Sequence, residues 1–427
     1  MEVKCIEYKN GKGRFELEVD LSGLSMLDSE IKIQQAANKV GNAVTEKRLH
    51  EFDADGQPLM LGNEKYTSKG LYPCTYETPY GQLNIERHLY QTSRGGETYC
   101  PLNDNARIIK KTCTPKLAKM ISNKYGRDTA DEVSVDMKDN HSRPLAKSFI
   151  QNISDFVGAI ADAKDEHWDY QLPEIDDPVH TIGVSMDGAN VAIFGSGYRE
   201  AMTGAITLYA KDGSRLHSMY LAVDPEYGKS RFFGRMESAI ADIKKIYPDA
   251  FYIGVSDGAH DLWEFLKKHT NQQVLDFYHA TEYLADASKA IFPKSEKKRK
   301  AWLEEACSSL KSISGYVPSV LSEMNKASEK KLTKTHKEKL NAAITYFSNN
   351  KERMTYPENK ANNLPIGSGV IEAACKTIVK SRLCRSGMRW KNKGVKVALS
   401  LRAMIKTAGK WDGFWNKLSL SGVPSVA

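Results

Sequence analysis

Residues 179–224 read VHTIGVSMDGANVAIFGSGYREAMTGAITLYAKDGSRLHSMYLAVD and carry the pattern that decides the fold. The runs HTIGVSMDGANVAIFG, AMTGAITLYAKDG and SRLHSMYLAVD are rich in β-forming residues and predict three consecutive strands. The dipeptide Asp212-Gly213, which closes the second run, is a hairpin turn signal. The segment therefore predicts a three-stranded antiparallel meander.

The residues that follow alternate between helical and strand patterns. They predict in turn a helix (KSRFFGRMESAIADIKKIYP), a fourth strand (DAFYIGVSDGAHD), a helix (LWEFLKKH), a fifth strand (NQQVLDFYHA) and a helix (TEYLADASKAIF). This is the element order of an RNase H-like domain, whereas a Rossmann unit would not begin with a three-stranded meander. We therefore predict an α/β fold whose core, residues 178–290, is RNase H-like with a mixed five-stranded sheet.

The regions before this core read differently. Residues 28–50 predict one helix capped by Asp28 or Ser29, and a turn-rich linker follows, so residues 1–65 are assigned to an N-terminal helix and linker. Residues 66–115 predict a small antiparallel β region of two or three strands. Residues 116–170 predict several short amphipathic helices, which suit a helix-turn-helix DNA reader and a packing module equally well.

The region after the core is helical and basic. Residues 291–360 are lysine-rich and predict a helical insertion beside the core that contributes no strand to its sheet. Residues 361–427 are assigned to the second part of the core. Within them, Ala373 to Lys410 contains eleven Lys or Arg and no acidic residue, and we predict one long basic helix that opens at Glu372. With a formal net charge of +8, this placement favours a nucleic acid partner.

Several classes of protein and cofactor are disfavoured by the sequence. No uninterrupted apolar run approaches the length of a membrane span, and the charged N-terminus lacks a signal-peptide core. There is no G-x-G-x-x-G or G-x-x-x-x-G-K pattern, so we expect no nucleotide cofactor. The seven scattered cysteines fit a reducing compartment. We therefore expect a cytoplasmic protein without a membrane partner.

Two aspartates stand at equivalent positions in the core. Asp187, in GVSMDGAN, ends or interrupts the first strand, and Asp257, in GVSDGAH, ends the fourth. An isolated Asp-Gly after a strand is usually a structural turn. If the first and fourth strands are neighbours, however, both side chains reach one place, and Glu372 can complete the set. Three carboxylates can hold two Mg²⁺ ions for phosphodiester cleavage and strand transfer.

The run Asp276-Phe-Tyr-His279 follows on the fifth strand. His279 can touch a scissile phosphate or orient a metal-binding carboxylate. A lone histidine at a strand end is more often a structural residue, and both interpretations stay open at this point.

Four segments carry a resemblance to a known family: GVSMDGA, GVSDGAHDLW, LDFYHATEYL and PIGSGVIEAACKTIVKSRLCRSGMRW. They resemble the DDE transposases of bacterial insertion sequences of the ISKra type, which are related to the Mutator-like transposases. The resemblance runs over roughly residues 60–415, and the segment around Glu372 is its most specific part. Some relatives carry a paired-cysteine element near residues 90–100, of which this chain keeps only Cys100.

The resemblance implies a set of residue roles. Asp187, Asp257 and Glu372 would be the catalytic triad and the metal ligands, and Asp276 and His279 would form the D-x-x-H element, with His279 assisting catalysis. The basic motif after the glutamate would bind DNA. The residues assigned to DNA binding are Lys376, Lys380, Arg382, Arg385, Arg389, Trp390 and Lys391.

The resemblance also implies the cofactor and the partners. Two Mg²⁺ ions would serve as cofactor, with Mn²⁺ as a substitute. The partner would be double-stranded DNA, both the element ends and the target, bound by a homodimer or larger assembly associated with a bacterial nucleoid. Two alternatives stay open: an RNase H-like nuclease or resolvase that acts on structured DNA, and a domesticated DNA-binding protein without catalytic activity.

Overall fold

A computed structural model describes residues 2–164, 172–226 and 228–424. The described chain forms two compact units. The first combines the chain up to residue 164 with residues 396–405 and 409–424. The second combines residues 172–395 with 406–408.

The first unit begins with a hairpin that the sequence analysis did not predict, formed by β1 (Val3–Lys9) and β2 (Lys12–Leu17). The predicted helix follows as α1 (Met26–His50), which confirms its existence. The predicted cap was wrong, because the N-cap is Ser25, whose side chain accepts a hydrogen bond from the backbone N–H of Asp28 at 3.2 Å.

A four-stranded antiparallel sheet comes next, made of β3 (Leu59–Leu61), β4 (Glu64–Glu77), β5 (Gln82–Thr92) and β6 (Gly95–Tyr99). The predicted β region is confirmed. The predicted linker was partly wrong, because β3 and the start of β4 pair within it as a hairpin.

Helices complete the first unit: α2 (Pro101–Asn105), α3 (Pro115–Arg127), α4 (Ala130–His141) and α5 (Lys147–Lys164). This confirms the predicted helical pattern, of which residues 165–170 lie outside the described residues. The buried faces of α3, α4 and α5 form one core with Leu401, Trp411 and Phe414 from the C-terminal part of the chain. That core accounts for the apolar stripes of the three helices.

The second unit is built on a five-stranded mixed sheet. Its strands are β7 (Thr181–Ile193), β8 (Gly197–Tyr209), β9 (Arg215–Val223), β10 (Phe251–Ser256) and β11 (Gln272–Leu275). The order across the sheet is β11-β10-β7-β8-β9. The β7, β10 and β11 strands run parallel, whereas β8 is antiparallel to both β7 and β9. The five predicted strands and the α/β class are confirmed.

Helices connect and follow these strands. The connecting helices are α6 (Ser230–Ile246), α7 (His260–His269) and α8 (Phe277–Ile291). A helical segment follows with α9 (Glu296–Ser312), α10 (Val317–Ser328), α11 (Lys334–Asn350), a 3₁₀ turn (Lys351–Arg353) and α12 (Tyr356–Ala361). Helix α11 packs on α8, and α9 packs on α8 and α12. Within the described chain, residues 291–360 contribute no strand to the sheet.

The C-terminal part is helical but interrupted. It contains α13 (Gly369–Ala374), a π-helical turn (Cys375–Lys380), α14 (Ser381–Leu383), α15 (Asn392–Lys406) and α16 (Lys410–Ser421). Among the described residues, no helix has both the length and the apolar character that crossing a bilayer requires.

The prediction of one basic helix from Glu372 to Lys410 was therefore wrong. The chain leaves helical geometry after Leu383 and turns at Gly387, whose φ of +76° favours glycine. Trp390 then pairs with the end of β7, where its N–H donates to Ala192 O at 3.0 Å and its carbonyl accepts from Phe194 N–H at 2.8 Å. The segment that follows Leu383 is thus anchored to the sheet.

Candidate active site

The register of β7 and β10 brings two carboxylates side by side. Ser185 pairs with Val255 in the parallel ladder, and Asp187 and Asp257 each lie two residues further along. Asp257 follows the last residue of β10, as predicted. Asp187 does not end its strand but lies inside β7, opposite Thr203 of β8. Both aspartates are half-buried.

The surroundings of Asp187 disfavour its charged form. The pKa of Asp187 is raised above its usual range, mainly because burial disfavours the charged form, and the nearby Asp257 charge adds to the rise. The Cys375 thiol, the Gly188 N–H at 2.7 Å from Oδ1 and the Lys380 charge oppose it. The ionised form of Asp187 is therefore stabilised less well in the folded protein than in water.

This electrostatic cost predicts a pH-dependent gain in stability from Asp187→Asn. A carboxyl group with a raised pKa destabilises the fold as pH rises through that pKa, and an amide carries no such cost. We expect the variant to melt at a higher temperature than the wild type at pH 7. The difference should vanish below the usual aspartate range, near pH 3–4, and thermal melts across pH 3–8 measure it. An equal difference at every pH would assign the effect to packing.

Glu372 lies on a helix that contacts β7, the strand that bears Asp187. Helix α13 contacts β7 and β8, and the π-helical turn after it contacts β7. Cys375 lies three residues after Glu372, on the same helical face, and its thiol interacts with the Asp187 carboxylate. The structure therefore places the face that bears Glu372 toward the strand of Asp187. Single π-helical turns occur frequently at functional sites.

Asp276 is buried and connects two elements of the site. It is the N-cap of α8, where its Oδ1 accepts from the Tyr278 N–H at 2.9 Å and from the Ser368 N–H at 3.2 Å. The Ser368 hydroxyl donates to Oδ2 of Asp276 and lies 3.5 Å from Oε1 of Glu372. Only 1% of Asp276 and 6% of Ser368 is exposed. Asp276 thus fixes the start of the helix that carries Glu372.

His279 is not at a strand end, and that placement was wrong. The β11 strand ends at Leu275, and His279 lies in the first turn of α8. Its Nδ1 is 3.3 Å from Glu282, and its ring packs edge-on against Tyr283 and Tyr346, with centroids 5.5 and 5.8 Å apart. These contacts give the ring a structural environment, and its action at a phosphate stays a prediction.

The predicted DNA-binding residues divide into two groups. Lys376, Lys380, Arg389 and Lys391 are exposed. Arg385 is half-buried, and its Nε donates to Ser381 O at 2.9 Å.

The other group consists of Arg382 and Trp390, which contact each other. Arg382 is only 2% exposed and stacks over the Trp390 ring at 4.9 Å from its centroid. The Trp390 indole N–H donates to Leu383 O at 3.0 Å. Because these two side chains contact one another, they stabilise the turn that follows α14 rather than forming an open surface.

The donor set fits a divalent cation in its chemistry. Carboxylate oxygens are the ligands that Mg²⁺ and Mn²⁺ prefer, and the repulsion between Asp187 and Asp257 is of the kind that a bound cation relieves. Asp187, Asp257 and Glu372 are the residues that would hold it. In this conformation no three His, Cys, Asp or Glu side chains of the described residues are grouped closely enough to hold one ion. Binding by all three would therefore require their side chains to move together.

Two residues of this site were missed by the sequence analysis. Ser368 and Cys375 both lie in the segment around Glu372 that carries the family resemblance, and each contacts a carboxylate. Ser368 lies four residues before Glu372, and Cys375 lies three residues after it. This spacing is the helical signal that could have placed both residues on the same helical face as Glu372. No protein-family model matches the chain, and no curated protein is significantly similar to it in sequence.

Proposed function

We propose that this protein is a DNA transposase, a polynucleotidyl transferase that cleaves the ends of its mobile element and joins the 3′ ends to target DNA. The observation that carries the proposal is the register that sets Asp187 beside Asp257, with the helix of Glu372 packed on the same sheet. The strand order β11-β10-β7-β8-β9 supports an RNase H-like core. The helices of residues 291–360, between Asp257 and Glu372, support an insertion in that core.

The site residues divide the work of such a reaction. Asp187, Asp257 and Glu372 would hold divalent cations, which when bound supply activation of a water or 3′-hydroxyl nucleophile and stabilisation of the leaving oxygen. Asp276 and Ser368 hold the Glu372 helix in place. A bound cation would also offset the cost of ionising Asp187, which arises mainly from its burial and in part from the nearby Asp257 charge.

A groove beside Asp257 offers room for a nucleic acid strand. It has a volume of about 780 Å³, and Gly258, the residue after Asp257, is among the residues that line it. Trp263 and Arg353 line it, with the guanidinium stacked 4.6 Å above the indole ring. Asn341 and Asn349 add amide groups that can donate or accept hydrogen bonds. The Arg353 guanidinium can contact a phosphate, whereas the Trp263 ring is buried beneath it and is not open to a base.

The exposed cations near the Glu372 helix should contact the DNA backbone. We expect Arg389→Ala to weaken DNA binding with little dependence on sequence, because phosphate contacts do not read bases. The slope of log affinity against log salt should flatten by about one unit for each phosphate that the variant no longer neutralises. Fluorescence anisotropy over a salt series measures both quantities.

Lys211 provides a matched control for this prediction. It is exposed in the turn between β8 and β9, beside the start of β7 and therefore at the other end of the sheet from Asp187. Lys211→Ala should leave the salt slope unchanged. Identical slopes for the wild type and both variants would place Arg389 outside the DNA interface.

The experiment that tests the function uses DNA from the flanks of the gene, where short inverted repeats mark the ends of a mobile element. The protein is incubated with a labelled fragment carrying such an end, a target plasmid and Mg²⁺ or Mn²⁺. A transposase gives end cleavage and joined products. Cleavage of branched DNA without joining would indicate a structure-specific nuclease, and binding without cleavage would indicate a non-catalytic DNA-binding protein.

A further inference from the structure

We infer that Tyr346, on α11, is a positioning residue for Asp257. The inference rests on the proposed function, in which Asp257 holds a divalent cation. Tyr346 is 89 positions away in the chain, yet its hydroxyl donates a hydrogen bond of 2.6 Å to the main-chain carbonyl of Asp257. The hydrogen bond is to the backbone of the residue that bears the carboxylate. It therefore fixes the position from which the Asp257 side chain extends.

The backbone at this point needs such support. Gly258 has a φ of +122°, a conformation that only glycine adopts without strain. A Cβ placed on Gly258 would lie 3.2 Å from the Tyr346 ring, so the ring packs directly against this residue. The ladder between β10 and its neighbours has ended by Ser256. Tyr346 therefore supplies a backbone contact where the sheet no longer supplies one.

Tyr346 is itself held rigidly. Its ring stacks on Tyr283 of α8 with centroids 3.9 Å apart and planes 10° from parallel. The His279 ring meets it edge-on at 5.8 Å. A fixed ring with a fixed donor is the arrangement that precise positioning of a neighbouring group requires.

This contact gives the helical segment a second role. Helix α11 lies in the lysine-rich region that was predicted as a helical insertion beside the core, and Tyr346 makes it part of the support of the carboxylate site as well. The aromatic cluster also explains the place of His279, whose ring packs edge-on against the two stacked tyrosines.

The stacked pair contains its own control. Tyr346→Phe removes the hydroxyl that bonds Asp257 and keeps the ring. Tyr283→Phe removes the equivalent hydroxyl from the stacking partner, which forms no hydrogen bond within the described part of the chain. Hydrogen exchange followed by mass spectrometry reports on residues 256–260 directly. We expect roughly 3- to 10-fold faster exchange there in Tyr346→Phe, and none of this change in Tyr283→Phe.

Mn²⁺ binding, measured by calorimetry, provides the second readout. We expect Tyr346→Phe to weaken Mn²⁺ binding roughly 3- to 10-fold while its melting temperature stays close to that of Tyr283→Phe. Asp257→Asn should abolish binding at the site. Equal exchange and equal Mn²⁺ affinity in the two tyrosine variants would overturn the inference. Faster exchange with unchanged Mn²⁺ affinity would also overturn it, because the turn would then move without moving the ligand. If the wild type bound no Mn²⁺, or bound it no better than Asp257→Asn does, the proposed function would be overturned instead.

Discussion

Asp257→Asn abolishes metal-dependent strand cleavage if Asp257 holds a cation, and this is the largest effect we expect. A lost anionic ligand removes several kcal/mol of charge stabilisation at the metal. Because about 1.4 kcal/mol corresponds to a tenfold change in rate, the loss should reach roughly 10³-fold or more. Asp187→Asn and Glu372→Gln should have the same effect. Rates of cleavage of end DNA under single-turnover conditions measure it.

The control is an aspartate on the same sheet without a role in the site. Asp212 is exposed in the turn between β8 and β9, where its carboxylate accepts from the Ser214 N–H. Asp212→Asn should cleave at the wild-type rate. DNA binding should persist in all four variants, which separates lost chemistry from lost folding. Substantial cleavage by Asp257→Asn would remove the central claim of the proposed function.

Asp276→Ala should destabilise the protein strongly and displace Glu372. The substitution removes the N-cap of α8, which costs about 1 kcal/mol. It also leaves the buried Ser368 groups without their acceptor, at about 1–3 kcal/mol. We expect the free energy of unfolding to fall by roughly 2–4 kcal/mol. Urea unfolding measures the change.

Two further variants make this result interpretable. Asp286 lies on the same helix but forms ion pairs at the surface with Lys289 and Lys339. Asp286→Ala should therefore cost no more than about 1 kcal/mol. Ser368→Ala keeps the α8 cap and removes only the hydroxyl link, so it should slow cleavage with a smaller loss of stability. Equal losses in Asp276→Ala and Asp286→Ala would show that the buried network contributes little.

The sheet of the second unit was predictable because each strand carries a local pattern. Strand runs and amphipathic helices alternate between residues 179 and 292, and the first and fourth strands are neighbours, as the site hypothesis required. The positions of Asp187 and Asp257 followed from the same reasoning, because each follows an apolar β-run. The hairpin of β1 and β2 escaped prediction because most of its residues are exposed and an irregularity between Cys5 and Glu7 interrupts the alternation of its partly buried residues.

The features that were missed depend on distant contacts or on a cap. The basic stretch reads as one helix because its residues favour helix locally, but Trp390 pairs with β7 about two hundred residues away. Nothing in the sequence around Tyr346 indicates its contact with Asp257, since the two residues are 89 positions apart in the chain. Asp276 was placed on a strand although an Asp before a helical pattern is an N-cap signal. That signal would also have placed His279 in the helix.

The divided first unit has a consequence for synthesis on the ribosome. Its core needs Leu401, Trp411 and Phe414 to cover helices α3, α4 and α5, and these residues emerge after residues 172–395 of the other unit. Translation of those roughly 220 residues takes about 10–50 s at 5–20 residues per second. During this interval the apolar faces of the three helices lack their cover in the nascent chain. The sheet of the second unit can form first. The first unit, although most of it is synthesised earlier, therefore completes its core later.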